Sequence, residues 1–457
     1  MSSISKSTQH ESQSSSRREF LARTGKAAIG SALAGVAVPH VHAAEENTIR
    51  LALIGSGYRG SGATVNAFNA PGGPVKLIAM ADLHQDRLEA AHKNLVKASP
   101  DKVDVPPDRR FIGFDAYRKA IDCLRPGDVA VLTTNPAFRV AHLDYAVAKG
   151  VNVFMEKSFA VDPVGARRLL KAAEESEKKN LKIGAGVMCR HSANRQELIR
   201  RIRDGQLGQI LLMRAYRMHP FGGMGRKPAG ENEIYWQIRN AINMLWVSGG
   251  FWSEADIHQV DEMCWIKDGW PVAAHGVGGR AANSTDCGQN LDNATAEWTF
   301  ADGTKAYYTV RGLPNCHNEF ATYLHGTKCG AQFSGQTHVA TTLIYKDQRF
   351  SPDNVAWEAP KEKIGPHQVE WNVLIDAIRQ NRPHNEAKRA AMSTIADLMG
   401  RAAIHMGRII TFDEVMASNF QWVPGGIDNL NEHSTPPIQC DNQGRYPVPI
   451  PGQWREV

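Results

Sequence analysis

The run Ile49-Arg50-Leu51-Ala52-Leu53-Ile54 passes directly into Gly55-Ser56-Gly57-Tyr58-Arg59-Gly60. A short apolar run of this kind reads as a buried parallel strand, and glycines at this spacing read as a tight turn that opens a helix. Gly55 permits the turn, Gly57 has no Cβ to hold the backbone away from a ligand, and Gly60 lets the helix pack closely on the strand. The first amides of that helix then face an anion. A chain built this way is committed to a sheet with helices wound around it.

A second element stands at the distance a dinucleotide requires. The strand Val75 to Ala81 ends in Asp82, 22 residues after Gly60, where an acid accepts hydrogen bonds from the ribose 2′-hydroxyl. An acid there repels a 2′-phosphate, which favours NAD over NADP. The competing reading is a glycine-rich surface turn followed by an unrelated aspartate, and the apolar strands on both sides weigh against it.

From residue 47 to about 190 strands and helices alternate. Helices are expected over His84 to Ala98, over Phe114 to Leu124, and from Pro136 to Lys149. Strands are expected over Asp128 to Thr133 and Val151 to Met155. This pattern predicts a doubly wound parallel sheet of the Rossmann type with right-handed crossovers. Ligands bind beyond the carboxyl ends of such strands, where Thr134-Asn135-Pro136 and Glu156-Lys157 fall. Lys157, placed in a partly desolvated cleft, can exchange a proton with a substrate hydroxyl. On spacing alone, a solvated lysine at a helix N-terminus fits as well or better.

Residues 191–415 read as an α+β domain. A helix over Ser192 to Arg203 precedes a long strand, Gln209 to Met218, and a glycine-rich loop. Further strands follow around 273–278, 294–300, 305–311, 320–325 and 341–345, with Asp302-Gly303 as a hairpin turn. The expected sheet is open-faced and mostly antiparallel, with helices over His367 to Arg379 and Asn385 to His405. Residues 416–457, rich in Pro, Gly and Asn, predict an extended arm of the kind that wraps a neighbouring subunit.

Between the strands lies Ser248 to Asp261. If this segment is helical from about Trp252, Glu254, His258 and Asp261 share one face. A carboxylate beside an imidazole fixes its tautomer and suits a general base. A surface helix with an ordinary charge pair fits the spacing equally well.

The first 46 residues read as a targeting segment. A serine-rich start leads to Arg17-Arg18-Glu19-Phe20-Leu21, an apolar run from Ala27 to Val38, and Val41-His42-Ala43 as a cleavage site. The paired arginines resemble a twin-arginine export signal, with Ala22 where lysine is often found; an ordinary secretory signal or a disordered tail is the alternative. The apolar run is too short to span a bilayer. Residues 1–43 hold five basic and two acidic side chains, leaving the remainder only +3 of the chain's formal +6. No electrostatic case for nucleic acid or membrane binding survives that balance. Seven scattered cysteines, never in a Cys-x-x-Cys pair, signal neither zinc nor a disulfide framework, and nothing identifies a metal site.

Taken together, Gly55 to Gly60, Asp82, Thr134-Asn135-Pro136 with His142, Glu156-Lys157, and Gly249-Gly250 through His258-Gln259-Val260-Asp261 resemble the glucose-fructose oxidoreductase and inositol dehydrogenase (Gfo/Idh/MocA) family over residues 47 to 415. The resemblance implies a Rossmann domain, an open-faced sheet domain that forms dimers or tetramers, and NAD(P)-linked chemistry on sugars and cyclitols. It matches Lys157 to the lysine of the family's Glu-Lys-Pro motif and His258 to its catalytic histidine. Ser158 stands where the family has proline, and Glu254 where it has aspartate. Tyr235, Trp236, Arg239 and Trp246 precede the histidine and suit either sugar stacking and hydroxyl binding or core packing.

Three classes of function follow. The first is a dehydrogenase with net redox turnover. The second is a redox-neutral glycosidase or keto-glycoside lyase, favoured by export because free NAD is scarce outside the cytoplasm. The third is a non-catalytic sugar-binding protein, against which the retained Lys157 and His258 argue.

Overall fold

The computed structural model describes residues 47–335 and 341–457. The expected export signal over residues 1–46 lies outside the described residues. The first sheet is built from β1 (Ile49–Ile54), α1 (Tyr58–Phe68), β2 (Val75–Asp82), α2 (Gln85–Ala98), β3 (Arg110–Ile112), α3 (Ala116–Ile121), β4 (Val129–Leu132), α4 (Pro136–Lys149), β5 (Asn152–Met155), α5 (Pro163–Lys178) and β6 (Ile183–Ala185). Its order is β3-β2-β1-β4-β5-β6 and every pairing is parallel. The order reverses between β1 and β4, which opens a crevice beyond their carboxyl ends.

The strands are apolar on both faces because helices cover both, as in parallel sheets generally. Ile49, Leu51, Ala52 and Leu53 are all fully buried. The three-residue β3 was not expected from the sequence. Three residues, one of them an arginine, are too few to carry a readable period.

The second sheet begins after α6 (Ala193–Arg203), whose N-cap Ser192 accepts from the Arg195 amide. Then come β7 (Ile210–Met218), α7 (Glu233–Arg239), α8 (Leu245–Ser248), α9 (Gly250–Lys267) and β8 (Ala273–Gly279) to β9 (Asn293–Thr299). They are followed by β10 (Lys305–Arg311), β11 (Glu319–Gly326), β12 (Gly330–Gly335), β13 (Leu343–Tyr345) and β14 (Val355–Glu358). Last come α10 (Pro366–Arg379), α11 (Ala387–Met406), β15 (Ile410–Thr411) and α12 (Phe412–Ala417). The strand order is β14-β13-β12-β11-β7-β10-β9-β8-β15. It is antiparallel throughout except for β7 beside β10. Strands β12, β14 and β15 went unread in the sequence, being short, glycine-bearing or half exposed.

Two long-range packings position the site. Helix α10, far along the chain, returns to the first sheet, where Trp371 stacks on Phe154 with ring centres 4.3 Å apart. Helix α11, almost entirely buried, lies under the second sheet; the Trp298 indole donates to the Ala396 carbonyl at 2.8 Å. Helices α9 and α11 are buried on nearly every side, polar residues included, so neither keeps the one solvated face that an amphipathic stripe requires.

Residues 418–457 hold no strand or α-helix. The segment expected as an extended arm docks on its own chain. The Trp422 indole donates to the Val161 carbonyl at 3.1 Å, Tyr446 is buried with its hydroxyl on Glu233, and Glu456 sits against Arg401 and His405 at 3.2 Å each. Three large or charged side chains buried intramolecularly outweigh the extended composition of the arm. Among the described residues no helix is long and apolar enough to cross a membrane.

Candidate active site

The glycine turn lies at the end of β1 and its geometry demands glycine at two positions. Gly55 has φ +96°, and a Cβ there would lie 2.6 Å from the Thr133 carbonyl carbon and the Thr134 nitrogen. A Cβ on Gly60 would lie 2.3 Å from the Gly55 oxygen. Gly57 differs, because a Cβ there would meet nothing within 4 Å and would instead project into open space. Gly57 is also the N-cap of α1, and no side chain caps that helix. Uncapped amides beside open space suit a pyrophosphate.

The space in question is a cavity of about 280 Å³ lined by Gly55, Gly57, Tyr58, Arg59 and Gly60, by Asp82 and His84, by Phe114 and Tyr117, and by Thr134, Asn135, Phe138 and His142. The Tyr58 side chain is exposed, so this residue contributes chiefly backbone. Pro136 is buried as the first residue of α4. Asp82 ends β2; one carboxylate oxygen accepts from the Ser56 amide at 2.6 Å and the other from the His84 amide at 2.9 Å. Burial raises its carboxyl above the usual range, and the two amide bonds work against that shift. The glycine turn, the uncapped helix and the rim acid therefore fit a dinucleotide.

The His142 ring stacks on Tyr117 with centres 4.1 Å apart, and its Nδ1 lies 3.1 Å from the Thr134 hydroxyl. Burial, with Arg139 nearby, pushes His142 down to about 3, so the ring is neutral.

From the cavity a chain of contacts leads to Lys157. Arg59 Nε donates to Glu156 Oε1 at 2.5 Å, and a second Arg59 nitrogen lies 3.4 Å from Glu370 on α10. The Glu156 carboxylate needs a glycine opposite it, since a Cβ on Gly186 would lie 2.8 Å from Oε2. Lys157 Nζ then donates to the Glu254 carbonyl at 2.8 Å and to Glu254 Oε2 at 2.7 Å. Glu254 is on α9, one turn before His258, so the helix period sets both on one face. The loop after β5 is thereby fastened to the helix that bears the histidine, which is 6% exposed.

Two residues that sequence reasoning undervalued hold that loop. Ser158 Oγ donates to the Ser253 carbonyl at 2.6 Å, a bond proline could not make. Arg139, fully buried on α4, donates to the Ser158 carbonyl at 2.9 Å, to the Leu132 carbonyl at 2.6 Å, and to the Thr134 carbonyl. A lone arginine inside the apolar run Pro136-Ala137-Phe138-Arg139-Val140-Ala141 was the available signal, because an unpaired charge on a buried helix face needs a reason.

Five expected substrate residues stand elsewhere. Asp261 lies on the same face of α9 but about 10 Å beyond Glu254 along the axis, fully buried. Arg190 Nε reaches it at 2.7 Å, Arg389 at 3.5 Å and the Ser393 hydroxyl at 2.6 Å. Burial favours its neutral form, but the two guanidiniums outweigh this and hold the carboxyl below its usual range. Helical spacing gave the face correctly but could not show what covers it.

Trp246 is a core residue, 0% exposed, with its indole donating to Gln237 at 2.6 Å. Tyr235 and Arg239 pack against His84 of the cavity wall. Tyr235 packs on His84 and Phe114 with ring centres 5.7 and 5.9 Å away, and Arg239 pairs with Asp86 at 3.1 Å. Trp236 packs into the apolar cluster around Trp246. Sequence proximity to the histidine misled here because α7 is tied to the segment after β2, at His84, Asp86 and Arg87.

No family model matches the chain. A 196-residue stretch is 27% identical to "Glycosyl hydrolase family 109 protein 3" of Phocaeicola vulgatus, covering 42% of this chain. The match spans about a third of that relative's length, 32%. Solved structures agree over far more of the chain. Scyllo-inositol dehydrogenase of Lactobacillus casei superposes with a TM-score of 0.57 at 18% identity, over 80% of this chain and 98% of its own. Aldose-aldose oxidoreductase of Caulobacter crescentus gives 0.60 at 17% identity, covering 80% and 99%. Levoglucosan dehydrogenase, solved with NADH and levoglucosan, gives 0.61 at 15%, also covering 80% and 99%. The superpositions show that this chain, with its parallel six-stranded sheet and second, mostly antiparallel sheet, shares its fold with these solved oxidoreductases, the Gfo/Idh/MocA fold.

Proposed function

We propose that the protein is an NAD-dependent oxidoreductase that acts on a hydroxyl of a sugar, cyclitol or glycoside. The observation that carries this reading is the tie from Lys157 Nζ to Glu254, one turn before His258. It joins the loop after β5, whose Glu156 is held by Arg59 of the cavity wall, to the helix bearing an imidazole. NAD, when bound, supplies the hydride acceptor. The chain supplies the rest. Gly57 and the first amides of α1 receive the pyrophosphate, and Asp82 receives the ribose hydroxyls. Lys157 and His258 hold the substrate hydroxyl, and one of them takes its proton. Glu254 keeps the lysine aimed and its charge balanced.

The solved neighbours support this reading by their names, which include an inositol dehydrogenase and a levoglucosan dehydrogenase bound to NADH. The glycosyl hydrolase relative favours a second, redox-neutral reading. In that case oxidation at C3 of a glycoside would acidify the neighbouring C–H, elimination would release the aglycone, water would add to the resulting enone, and return of the hydride to C3 would leave no net redox change. Export by a twin-arginine translocase to the periplasm, for which Arg17-Arg18 speak, belongs to the same proposal. So does a homodimer or homotetramer formed through the open sheet face, where Arg214 lies 4.2 Å from the Tyr323 ring centre.

One experiment separates the readings. The purified protein is treated with acid, any released nucleotide is identified, and intact protein is incubated with sugars and aryl glycosides. Accumulating NADH absorbance marks net oxidation, and aglycone release without it marks the redox-neutral course. Neither signal across a broad panel, with no nucleotide binding, would sink both.

A further inference from the structure

The loop that carries Lys157 is held from behind by the end of the chain. Ser158, Phe159, Ala160, Val161 and Asp162 are all buried, so a carbonyl among them without a donor would be costly. Ser158 is tied to Ser253 of α9 and to Arg139 of α4. Val161, four residues after Lys157, takes its donors from much later in the chain. The Trp422 indole gives one at 3.1 Å and Arg401 Nη2 the other at 2.7 Å. A carbonyl oxygen has two lone pairs, so these two donors saturate it. The same tryptophan holds the next residue. Asp162 accepts the Trp422 amide through Oδ2 at 3.1 Å, while Oδ1 caps α5 by accepting the Gly165 amide at 2.7 Å.

Both donors to Val161 belong to one assembly. Arg401, fully buried on α11, is held by Glu456 at 3.2 Å, and its Nη1 lies 3.4 Å from the Ser253 hydroxyl. Ser253 immediately precedes Glu254, the partner of Lys157. Glu456 accepts in turn from the Trp454 indole at 3.3 Å, and the Trp454 ring centre lies 6.2 Å from that of Trp422. The start and the end of the C-terminal arm, at Trp422 and Glu456, therefore converge on one carbonyl of the loop after β5.

We propose that Trp422 is a positioning residue for Lys157: by donating to Val161 and Asp162 it keeps the loop after β5 where Nζ meets Glu254. The arm thereby takes part in the reaction from outside the nucleotide cavity, whose lining runs from Ile54 to Ile238. The inference rests on Lys157 acting in the proposed reaction.

The test starts from a readout that needs neither substrate nor nucleotide. Lys157, its side chain 22% exposed and engaged with Glu254, is acetylated with acetic anhydride in the full chain, and its rate is followed by mass spectrometry against that of the exposed Lys93 on α2. Trp422→Phe keeps a ring against Phe420 and Trp454 and deletes the indole donor. It should raise the Lys157 rate about fivefold, the weight of one hydrogen bond, with Lys93 unchanged. Asp162→Asn removes the acceptor of the Trp422 amide without altering the tryptophan and should act in the same direction. Tyr446→Phe loosens the arm from Glu233 on α7 instead and should leave the Lys157 rate at the wild-type value. With a sugar or glycoside that is turned over, Trp422→Phe should lower kcat about fivefold and leave Kd for NAD unchanged. In a Lys157→Met background it should cost nothing further, because it acts through the lysine. An unchanged Lys157 rate in folded Trp422→Phe or Asp162→Asn overturns the proposal. Equal acceleration in Tyr446→Phe overturns it too, since that marks a general loosening of the arm. Turnover losses that add in the double variant overturn the route through Lys157. Wild-type protein that binds no nucleotide and turns over no sugar or glycoside overturns the function and any part of Trp422 in it, while the acetylation rates still show whether the arm holds the loop.

Discussion

Lys157 and Glu254, 97 positions apart in the chain, meet through two hydrogen bonds from one ammonium, 2.7 Å to the carboxylate and 2.8 Å to the backbone carbonyl. The carboxylate bond balances charge, while the carbonyl bond fixes position independently of charge. The pair therefore predicts a graded response. Lys157→Ala should lower turnover by about 10² or more with Kd for NAD unchanged. Glu254→Gln, which keeps the backbone contact, should cost only about tenfold. Wild-type turnover in Lys157→Ala would remove the lysine from the chemistry.

The glycine turn predicts two opposite phenotypes. Gly60→Ala forces a Cβ against the Gly55 oxygen and should destabilise the fold by about 2 kcal/mol or more. Gly57→Val meets open space, so the melting temperature should hold while nucleotide affinity collapses, because the side chain fills the room a phosphate needs. Thermal melting and calorimetry on both variants check the contrast.

Asp82 accepts the Ser56 and His84 amides through its two carboxylate oxygens. Asp82→Ser removes the ribose acceptor and part of the turn's support, so NAD affinity should fall by about tenfold, the worth of one or two hydrogen bonds. An unchanged affinity would show that the carboxylate does not reach the ribose.

Glu456 makes the stability of the fold depend on acidity. Burial opposes its charge, but Arg401 and His405 beside it hold the carboxyl down to about 2. A carboxyl depressed on folding stabilises the native state fully above its unfolded value of about 4.5, and that contribution disappears as pH falls from there through about 2. Glu456→Gln leaves Arg401 buried without its counter-charge and should destabilise at pH 7 by about 3 kcal/mol. Its stability should then fall less steeply than wild type below pH 4.5. Denaturant titrations of both chains at pH 7, 4.5 and 3 decide the point.

Arg139 donates to three carbonyls at the ends of β4 and β5, and nothing shorter spans them. Arg139→Lys keeps the charge but loses the fork, leaving at least one buried carbonyl unpaired at about 1–3 kcal/mol. Because the Ser158 carbonyl is one of the three, turnover should fall along with the melting temperature.

Local order fixed a good part of this molecule. Strand, glycine turn and helix at residues 49–60, the acid 22 residues on, and the lysine after β5 are short-range patterns, because buried parallel strands and phosphate turns demand particular residues at particular spacings. Helix α9 was legible through Glu254 and His258 for the same reason. What covers each element was not. Asp261 shares the histidine's helix face, yet Arg190 and Arg389 close over it. Tyr235 and Arg239 precede the histidine in the chain, yet α7 carries them to His84 and Asp86. Glu370 and Glu456 find Arg59 and Arg401 from hundreds and tens of positions away. Periodicity records which way a side chain faces along its own element. Only packing between elements distant in sequence decides whether that face meets water, a counter-charge or a ligand.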